Sequence, residues 1–305
     1  VAVAQHPNIE MRTLAEVVKV SGFIGNFNVT IKQKAKYVDW DLCTGCGTCW
    51  EKCPSKKIKD EYDLGIGLRT AIHKVFPQAV PGKPYIDAAN CTKLTKDKCG
   101  ICEKVCPTEA IRFNDKDELI TEEVGAIIMA TGYDLFKWEE NHGEYGYGKY
   151  PDVVSSLYFE RLVSAGGPTG GKIVRPSDGK EPKSVAFIKC VGSRDDTKGK
   201  SYCSRACCMY TAKHAYQVKD KIPDGEAYVF YMDVRTAGKN YEEFYQRSLN
   251  AGARYIRGRV SKIYPRGDRL VLKSEDTLMG MPMEVEVDMV VLATAMVPSE
   301  GAAEL

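Results

Sequence analysis

The sequence contains 305 residues, of which 44% are hydrophobic, and a chain of this size can bury the cores of two or three domains. Its formal net charge of +2, without a basic stripe, argues against a nucleic-acid-binding protein. No apolar run approaches the roughly 18 residues of a membrane helix. The twelve cysteines lie in tight local clusters, which favours metal binding over a disulfide framework.

The first predicted elements are the strands of a hairpin. The segment FIGNFNVTIKQKA is rich in β-branched and aromatic residues around an Asn-rich turn, so residues 1–35 are predicted to be part of a sheet. From residue 36 to 118 the composition shifts to cysteine, lysine and proline, and eight of the twelve cysteines lie here. This block is predicted to be an inserted domain.

The first cysteine run, CTGCGTCWEKCP, has the spacing of bacterial two-cluster ferredoxins. In that pattern three thiolates of a run hold one 4Fe-4S cubane, and a fourth, followed by proline, reaches the other cluster. Gly45 and Gly47 suit a short loop on which thiolates and backbone N–H groups converge. The cysteines of this run are Cys43, Cys46, Cys49 and Cys53.

The second run, CTKLTKDKCGICEKVCP, departs from the pattern in its first gap. Seven residues stand where two are expected, so we predict a longer loop that carries Cys91 back to the cluster. Zinc knuckles are the alternative, but their ligands usually come as two Cys-x2-Cys pairs. His73 is interpreted as a surface or packing residue. The predicted ligand sets are Cys43, Cys46, Cys49 and Cys106 for one cluster and Cys91, Cys99, Cys102 and Cys53 for the other.

After the insert, the pattern becomes α/β. The segment ITEEVGAIIMATGYD, residues 120–134, is predicted to be a fully buried strand within a return segment at 119–150. A connecting helix is predicted at 151–165. Strands alternate with helices over 166–297, which predicts a second domain with a parallel, doubly wound sheet. The predicted strands there are SVAFIK, EAYVFYMDV, ARYIRGRVSKIYP, RLVLKSE and VDMVVLATAMVP, and the helices are CCMYTAKHAYQVKDK and NYEEFYQRSLNAG.

Four cysteines follow the strand SVAFIK, where a nucleotide-binding domain has its phosphate loop. The loop CVGSR offers only Gly192, and without further glycines the backbone cannot approach a pyrophosphate, which disfavours NAD(P)H binding. The spacing matches no standard pattern and leaves open a third cluster, a zinc site, and a redox disulfide or structural thiols. These cysteines are Cys190, Cys203, Cys207 and Cys208.

Two strand ends resemble those of flavoproteins of the thioredoxin reductase type, in which an Ala-Thr-Gly turn lies under FAD. The resemblance implies thioredoxin-reductase-like doubly wound α/β domains, one a partial FAD domain and one NAD(P)-like, with an inserted bacterial-type α+β ferredoxin domain. The remaining FAD-binding segments would lie before Val1 and after the short return at 298–305, so we expect an incomplete FAD pocket in a fragment of a longer protein. The implied FAD contacts are Ala130, Thr131, Gly132, Ala293 and Thr294.

Over nearly its whole length the chain resembles the iron-sulfur flavoprotein subunit of heterodisulfide reductase, found in methanogenic archaea and in related bacterial complexes. The resemblance is carried by HPNIEMRTLAEVVKVSGFIGNF, VGAIIMATGYD, GPTGGKIVRPSDGKEPKSVAFIKCVGSR and YCSRACCMY. It implies that the last four cysteines bind a third, unusually ligated 4Fe-4S cluster beside the flavin. It also implies flavin-based electron bifurcation, with Lys213 and Glu160 tuning or protonating the flavin ring; surface helix charges are the alternative for both.

The resemblance further implies an oxidoreductase subunit in a cytoplasmic complex, catalytically incomplete as this fragment alone. Expected partners are the other heterodisulfide reductase subunits, an electron donor of the hydrogenase or formate dehydrogenase type, and ferredoxin. The open ends of a truncated FAD domain favour association, for which a homodimer is the simplest form. No nucleic acid and no membrane span are expected. The alternative function is a flavin-free, polyferredoxin-like electron relay module.

Overall fold

A computed structural model describes residues 2–137 and 143–304 of the chain. Residues 1, 138–142 and 305 lie outside the described residues, and they belong to the predicted segments 1–35, 119–150 and 298–305. The chain divides into two compact units, one of Val1–Thr131 with Glu300–Leu305 and the other of Gly132–Ser299. None of the helices in the described part of the chain has the length and hydrophobicity needed to span a membrane.

The first unit contains a three-stranded antiparallel sheet in the order β1-β2-β7. Its first two strands form the predicted hairpin, whose tight turn contains Gly25 in the left-handed region at φ 92°. Gln33 of β2 pairs directly with Glu118 of β7, so the inserted domain leaves and rejoins the sheet at neighbouring positions. The elements are a short helix α1 Ala2–Gln5 and the strands β1 Ala15–Phe23, β2 Asn26–Gln33 and β7 Glu118–Val124.

The inserted domain consists of short helices and two-stranded ribbons around a small core. Val38, Ala110 and Ile111 pack with Ile72 and Ile86 in that core, and several cysteines border it. The helices are only four or five residues long, and each contains or follows a cysteine. The elements are α2 Thr48–Glu51, β3 Ile58–Lys59, β4 Leu68–Arg69, β5 Ile72–His73, β6 Tyr85–Ile86, α3 Thr92–Lys96 and α4 Ile101–Lys104.

The prediction of a buried strand over residues 120–134 is wrong. The strand β7 ends at Val124, and residues 126–132 have no strand pairing. Ile128 is 92% exposed and Met129 is 56% exposed. An apolar segment forms a buried strand only when neighbouring strands pair with its edges, and none of the strands in the described residues pairs with this one.

The second unit is built on a five-stranded sheet in the order β12-β11-β10-β16-β9. All four neighbouring pairs are parallel, which confirms the predicted parallel α/β sheet. The central strand β10 is buried at every position. The strands are β9 Val153–Ser155, β10 Ser184–Val191, β11 Glu226–Tyr231, β12 Arg254–Arg257 and β16 Met289–Thr294.

Different layers cover the two faces of this sheet. On one face, Phe187 of β10 packs edge-on against Phe159 and lies close to His214, both on helices. On the other face, Ile188 packs in one cluster with Leu272 of an antiparallel sheet. The prediction of a doubly wound sheet is therefore corrected, because β-strands replace helices on the second face. The added elements are α5 Ser156–Val163, α6 Cys207–Lys221, α7 Tyr241–Asn250, β13 Lys262–Arg266, β14 Arg269–Asp276 and β15 Met281–Val287.

Two predicted strands are divided. ARYIRGRVSKIYP becomes β12 and β13 in different sheets, and the chain turns at Gly258, where an added Cβ would lie 1.8 Å from the Glu275 carbonyl oxygen. VDMVVLATAMVP becomes β16 and β17, and β17 pairs with β8. The predicted connecting helix begins only after β9, with the Ser155 hydroxyl accepting from the Tyr158 N–H, and it lies inside the second unit. The remaining elements are β8 Tyr133–Leu135, β17 Met296–Pro298 and a 3₁₀ helix Gly143–Tyr145.

Candidate metal centres

The first predicted ligand set lines one cavity. This cavity has a volume of about 350 Å³, is partly open to solvent, and is walled by Val38, Trp50 and Ile111. Gly45 and Gly47 lie in the left-handed region at φ 74° and 94°, which turns the chain so that successive cysteines face the same space. The cysteines that line it are Cys43, Cys46, Cys49 and Cys106.

Sulfur atoms of this set accept hydrogen bonds from the surrounding loop. The Gly45 N–H donates to Cys43 Sγ at 3.4 Å, and the Ala110 N–H donates to Cys106 Sγ at 3.3 Å. A hydrogen bond with the Thr48 side chain lowers the pKa of Cys46, whereas burial raises the pKa of Cys49 to about 11. Donors aimed at sulfur stabilise thiolates, which are the form that ligates iron.

The second predicted set lines another cavity, with a volume of about 330 Å³. The long gap in the second run contains helix α3, which begins directly after Cys91, and the chain reverses at Asp97 with φ 50°. Burial and the charges of neighbouring cysteines raise the pKa of Cys102 to about 12. Thiols that bind a metal group release their protons on binding. The cysteines that line this cavity are Cys53, Cys91, Cys99 and Cys102.

One segment of the insert, residues 58–87, is called the arm here and contributes wall residues to both cavities. Ile72 and Ile86 line the second cavity and Pro84 lines the first. The arm is fixed by Arg69, whose side chain is 6% exposed and donates to Glu61 Oε2 at 2.6 Å and to Asp87 Oδ2 at 2.8 Å. His73 is buried, and its ring lies 4.6 Å from that of Tyr85, so it packs within the arm.

The third set of cysteines lies at the carboxyl end of the parallel sheet. Cys190 is near the end of β10, and Cys207 and Cys208 are the first two residues of α6, which follows that strand. The sheet neighbours of β10 are β11, the next strand in the chain, and β16, which comes much later, and ligands of open α/β sheets bind at the carboxyl ends where the strand order changes in this way, called a switch point.

These four side chains lie close enough to influence one another. A hydrogen bond with Cys208, then burial, then the charges of Cys208, Cys190 and Cys203 raise the pKa of Cys207. Three of the four are buried, and the Arg205 N–H donates to Cys203 Sγ at 3.3 Å. The amino terminus of α6 adds a positive partial charge. No three His, Cys, Asp or Glu side chains in the described residues are placed to hold a single metal ion, whereas four grouped thiols are the donors that a cluster of several metal atoms takes.

The end of β10 and the loop that follows it have several residues in the left-handed region, including Cys190 at φ 59° in the strand and Arg194 at φ 58° in the loop. An added Cβ at Gly192 would lie 2.2 Å from Phe136 Cδ1, so an aromatic ring packs directly on this loop. Lys189, which the sequence reasoning did not single out, is buried beside Cys190. Its only sequence signal is a lysine inside an otherwise apolar strand.

The residues implied to contact FAD fall into two groups. Ala130 and Thr131 belong to the first unit, and both are exposed and outside any strand. Ala293 and Thr294 are buried at the end of β16, next to β10 at the switch point. Thr294 Oγ1 has no hydrogen-bond partner within the described residues. A buried hydroxyl without a partner at this position suits a cofactor with polar atoms.

Glu160 and Lys213 form an ion pair across α5 and α6, with 2.5 Å between Oε2 and Nζ. His214, which sequence reasoning missed, also contacts Glu160, with 2.6 Å between Nε2 and Oε2. Its ring is buried against Phe159, and burial lowers its pKa. Hydrogen bonds from His214 and Lys213 lower the pKa of Glu160 to about 2.

The two thiol sets of the insert provide the donors of an iron-sulfur protein, and the second unit is a parallel α/β domain. The family model described as "4Fe-4S binding domain" matches residues 36–56 and 97–112. Similarity to solved structures is low: the thioredoxin reductase of T. acidophilum is 14% identical with a TM-score of 0.35, covering 62% of this chain and 49% of that one.

Curated relatives match the chain from end to end. The corresponding subunit of the H(2):CoB-CoM heterodisulfide,ferredoxin reductase of Methanothermobacter thermautotrophicus is 48% identical over 100% of this chain and 46% of its own length. An iron-sulfur subunit of the CoB–CoM heterodisulfide reductase of Methanopyrus kandleri is 51% identical, and the match covers 99% of this chain and 45% of that subunit. The chain is therefore homologous over its whole length to this iron-sulfur subunit of heterodisulfide reductase, which confirms the resemblance, and it spans about half the length of these relatives.

Proposed function

We propose that this chain is an electron-relay segment of a heterodisulfide-reductase-type oxidoreductase, carrying three 4Fe-4S clusters. The observation that carries the proposal is the grouping of eight cysteines around two cavities, four to each, with one ligand of each set coming from the other run. Crossed ligation of this kind belongs to two-cluster ferredoxins. The cysteines would hold clusters that supply one-electron transfer, and no bond would be made or broken in the protein.

The third set would extend this relay into the second unit. Its position at the switch point of the sheet replaces a hydride carrier by a one-electron carrier. The set is composed of a strand end, a loop and a helix start, so its geometry depends on the whole α/β domain. The alternatives for this set alone are zinc and a redox disulfide or structural thiols.

FAD is the proposed electron-transfer partner of the third cluster. It would take up electrons in pairs and release them one at a time, or the reverse. Thr294 and Ala293 would contact it from the second unit, and Ala130, Thr131 and Gly132 from the Ala-Thr-Gly segment. Glu160 holds the Lys213 ammonium in place, and this cation would tune the electron affinity of the ring or move a proton to it. Electron bifurcation is proposed for the complete protein in its complex.

The proposed partners are the other heterodisulfide reductase subunits, a hydrogenase- or formate-dehydrogenase-type donor, and ferredoxin, in the cytoplasm. The names of the relatives support a heterodisulfide as a reactant. Those that are named as heterodisulfide,ferredoxin reductases also support ferredoxin. A homodimer is proposed as the simplest assembly. A flavin-free relay module is the second candidate, supported by the exposure of the Ala-Thr-Gly segment.

The metal and flavin content of anaerobically purified protein tests these proposals. Three cubanes require about twelve irons and about twelve acid-labile sulfides per chain. About eight of each would remove the third cluster, and zinc in place of iron would overturn the relay itself. FAD released by acid and measured by its fluorescence separates the flavoprotein from the flavin-free relay module.

A further inference from the structure

Lys189 places a charged side chain inside the central strand of the second unit. It is 7% exposed on β10, a strand that is buried at all eight positions. Its Nζ donates to the backbone oxygen of Asp233 at 3.1 Å and lies 5.5 Å from the Tyr231 ring centroid. A carbonyl and an aromatic face stabilise an ammonium group, but neither neutralises its charge.

No carboxylate in the described part of the chain forms an ion pair with Lys189. The carboxylate of Asp233 faces two other cations: Arg194 at 2.8 Å and Arg235 at 3.6 Å. A charged group inside a buried strand is costly unless an opposite charge lies near it. The position of Lys189 therefore requires negative charge from another group.

The third cysteine set lies next to this ammonium group. Cys208 Sγ lies 4.0 Å from the same Asp233 oxygen that binds Lys189, and Cys190 is the next residue on the strand. A 4Fe-4S unit with four thiolates carries a net charge of about −2, and reduction adds one more negative charge.

The geometry assigns to Lys189 the role of counter-charge for the third metal centre, raising its reduction potential. This inference rests on the proposed third cluster. A fixed cation stabilises the reduced, more negative cluster more than the oxidised one. Lys189 is thus a positioning residue that acts through the field at the cluster, and it sets how readily this cluster accepts an electron.

The test is a potentiometric titration of the whole anaerobic protein, followed by electron paramagnetic resonance. The signal of the third cluster is assigned by subtraction of the Cys207→Ala protein. For Lys189→Met we expect the ratio of reduced to oxidised third cluster at a given potential to fall about tenfold, which is about 59 mV for one electron. Lys189→Arg should keep the potential near the original value, and the two ferredoxin clusters should not change.

Lys219→Met is the matched control, because Lys219 also donates to a carbonyl, that of Gly225 at 2.7 Å, but near the other end of α6. If the Lys189→Met protein loses the third cluster, the iron content of Lys189→Gln and Lys189→Arg is compared. Loss of the cluster in the uncharged Met and Gln variants, but not in the charged Arg variant, supports the counter-charge role. The inference is overturned if Lys189→Met retains about twelve irons and the reduction potential of its third cluster is unchanged. It is also overturned if Lys189→Arg shifts that potential as much as Lys189→Met does. About eight irons in the unsubstituted protein would instead overturn the proposed third cluster.

Discussion

Glu160 Oε2 and His214 Nε2 lie 2.6 Å apart, with the histidine ring buried between Phe159 and Phe187. Because the carboxylate can only accept, the proton of the neutral ring lies on Nε2. The other ring nitrogen, Nδ1, has no hydrogen-bond partner within the described residues. The pair therefore fixes Glu160 beside Lys213, and it connects the candidate flavin-site ion pair to the interior of the second unit.

This relationship predicts a pH dependence of stability. Burial lowers the pKa of His214, so the unfolded chain binds a proton below about pH 6.5 that the folded chain does not. Stability should fall as the pH decreases from about 7.5 to 5.5. The groups that face His214 are Glu160, Lys213 and Tyr210, and Glu160 remains ionised throughout because its pKa is about 2.

His214→Leu should flatten this pH dependence and reduce the free energy of unfolding at neutral pH by about 1–3 kcal/mol, since Glu160 loses a buried donor. The measurement is the thermal midpoint of the anaerobic protein across the pH range. The exposed His6, replaced by Gln, serves as the control and should leave the slope unchanged. A slope in His214→Leu equal to that of the original protein would contradict the prediction.

Double substitutions distinguish crossed from uncrossed cluster ligation. Cys43 and Cys106 line the same cavity, so Cys43→Ala with Cys106→Ala should lose about four irons, no more than either alone. Cys43→Ala with Cys53→Ala should lose about eight, because Cys53 lines the other cavity. Iron and sulfide analysis gives the answer, and uncrossed ligation would reverse the two results.

The third set is predicted to be independent of the ferredoxin pair. Cys207→Ala or Cys208→Ala should lower the iron content from about twelve to about eight atoms per chain. The electron paramagnetic resonance signals of the other two clusters should persist, since their ligands lie in a different compact unit. Loss of all iron in these variants would show that the three centres do not form separately.

The arm of the insert depends on one buried ion-pair cluster. Asp87→Asn should destabilise the domain by about 3 kcal/mol, because it removes the better-buried partner of Arg69. Glu61→Gln should cost less than about 1 kcal/mol, since the Glu61 side chain is 71% exposed. Thermal loss of iron-sulfur absorbance measures both. Asp97→Asn is the matched control, because the Asp97 carboxylate pairs with Lys93 at the surface. If Asp87→Asn and Asp97→Asn had equal effects, the dependence of the arm on the buried Arg69 ion pair would be refuted.

The second unit is predicted not to bind NAD(P)H. Phe136 packs on Gly192, where a pyrophosphate would approach the backbone, and cysteines lie on both sides of this position in the chain. Titration of NADH fluorescence should show no saturable binding below about 1 mM, with a nicotinamide-dependent reductase as positive control. Saturable binding that Arg194→Met weakens would contradict this prediction.

Local patterns in the sequence predicted much of the site. The three-residue steps of the ferredoxin runs and the glycines between them describe contacts within a few residues, so ligand grouping could be predicted without a fold. The helix at Cys207–Lys221 was predicted with the same bounds that the structure has. The segment 126–132 misled the same reasoning, because its apolar composition says nothing about which strands are available to pair with it.

The sequence by itself determined the class of the inserted domain, its two cysteine sets and the absence of a phosphate loop, since all of these depend on residue type and short spacing. Only the tertiary structure brought Lys189 to the Asp233 carbonyl and His214 to Glu160, pairs separated by 44 and 54 residues. It also decided that one face of the parallel sheet carries strands instead of helices. Such contacts arise from the way strands and helices pack, and residue spacing along the chain does not encode them.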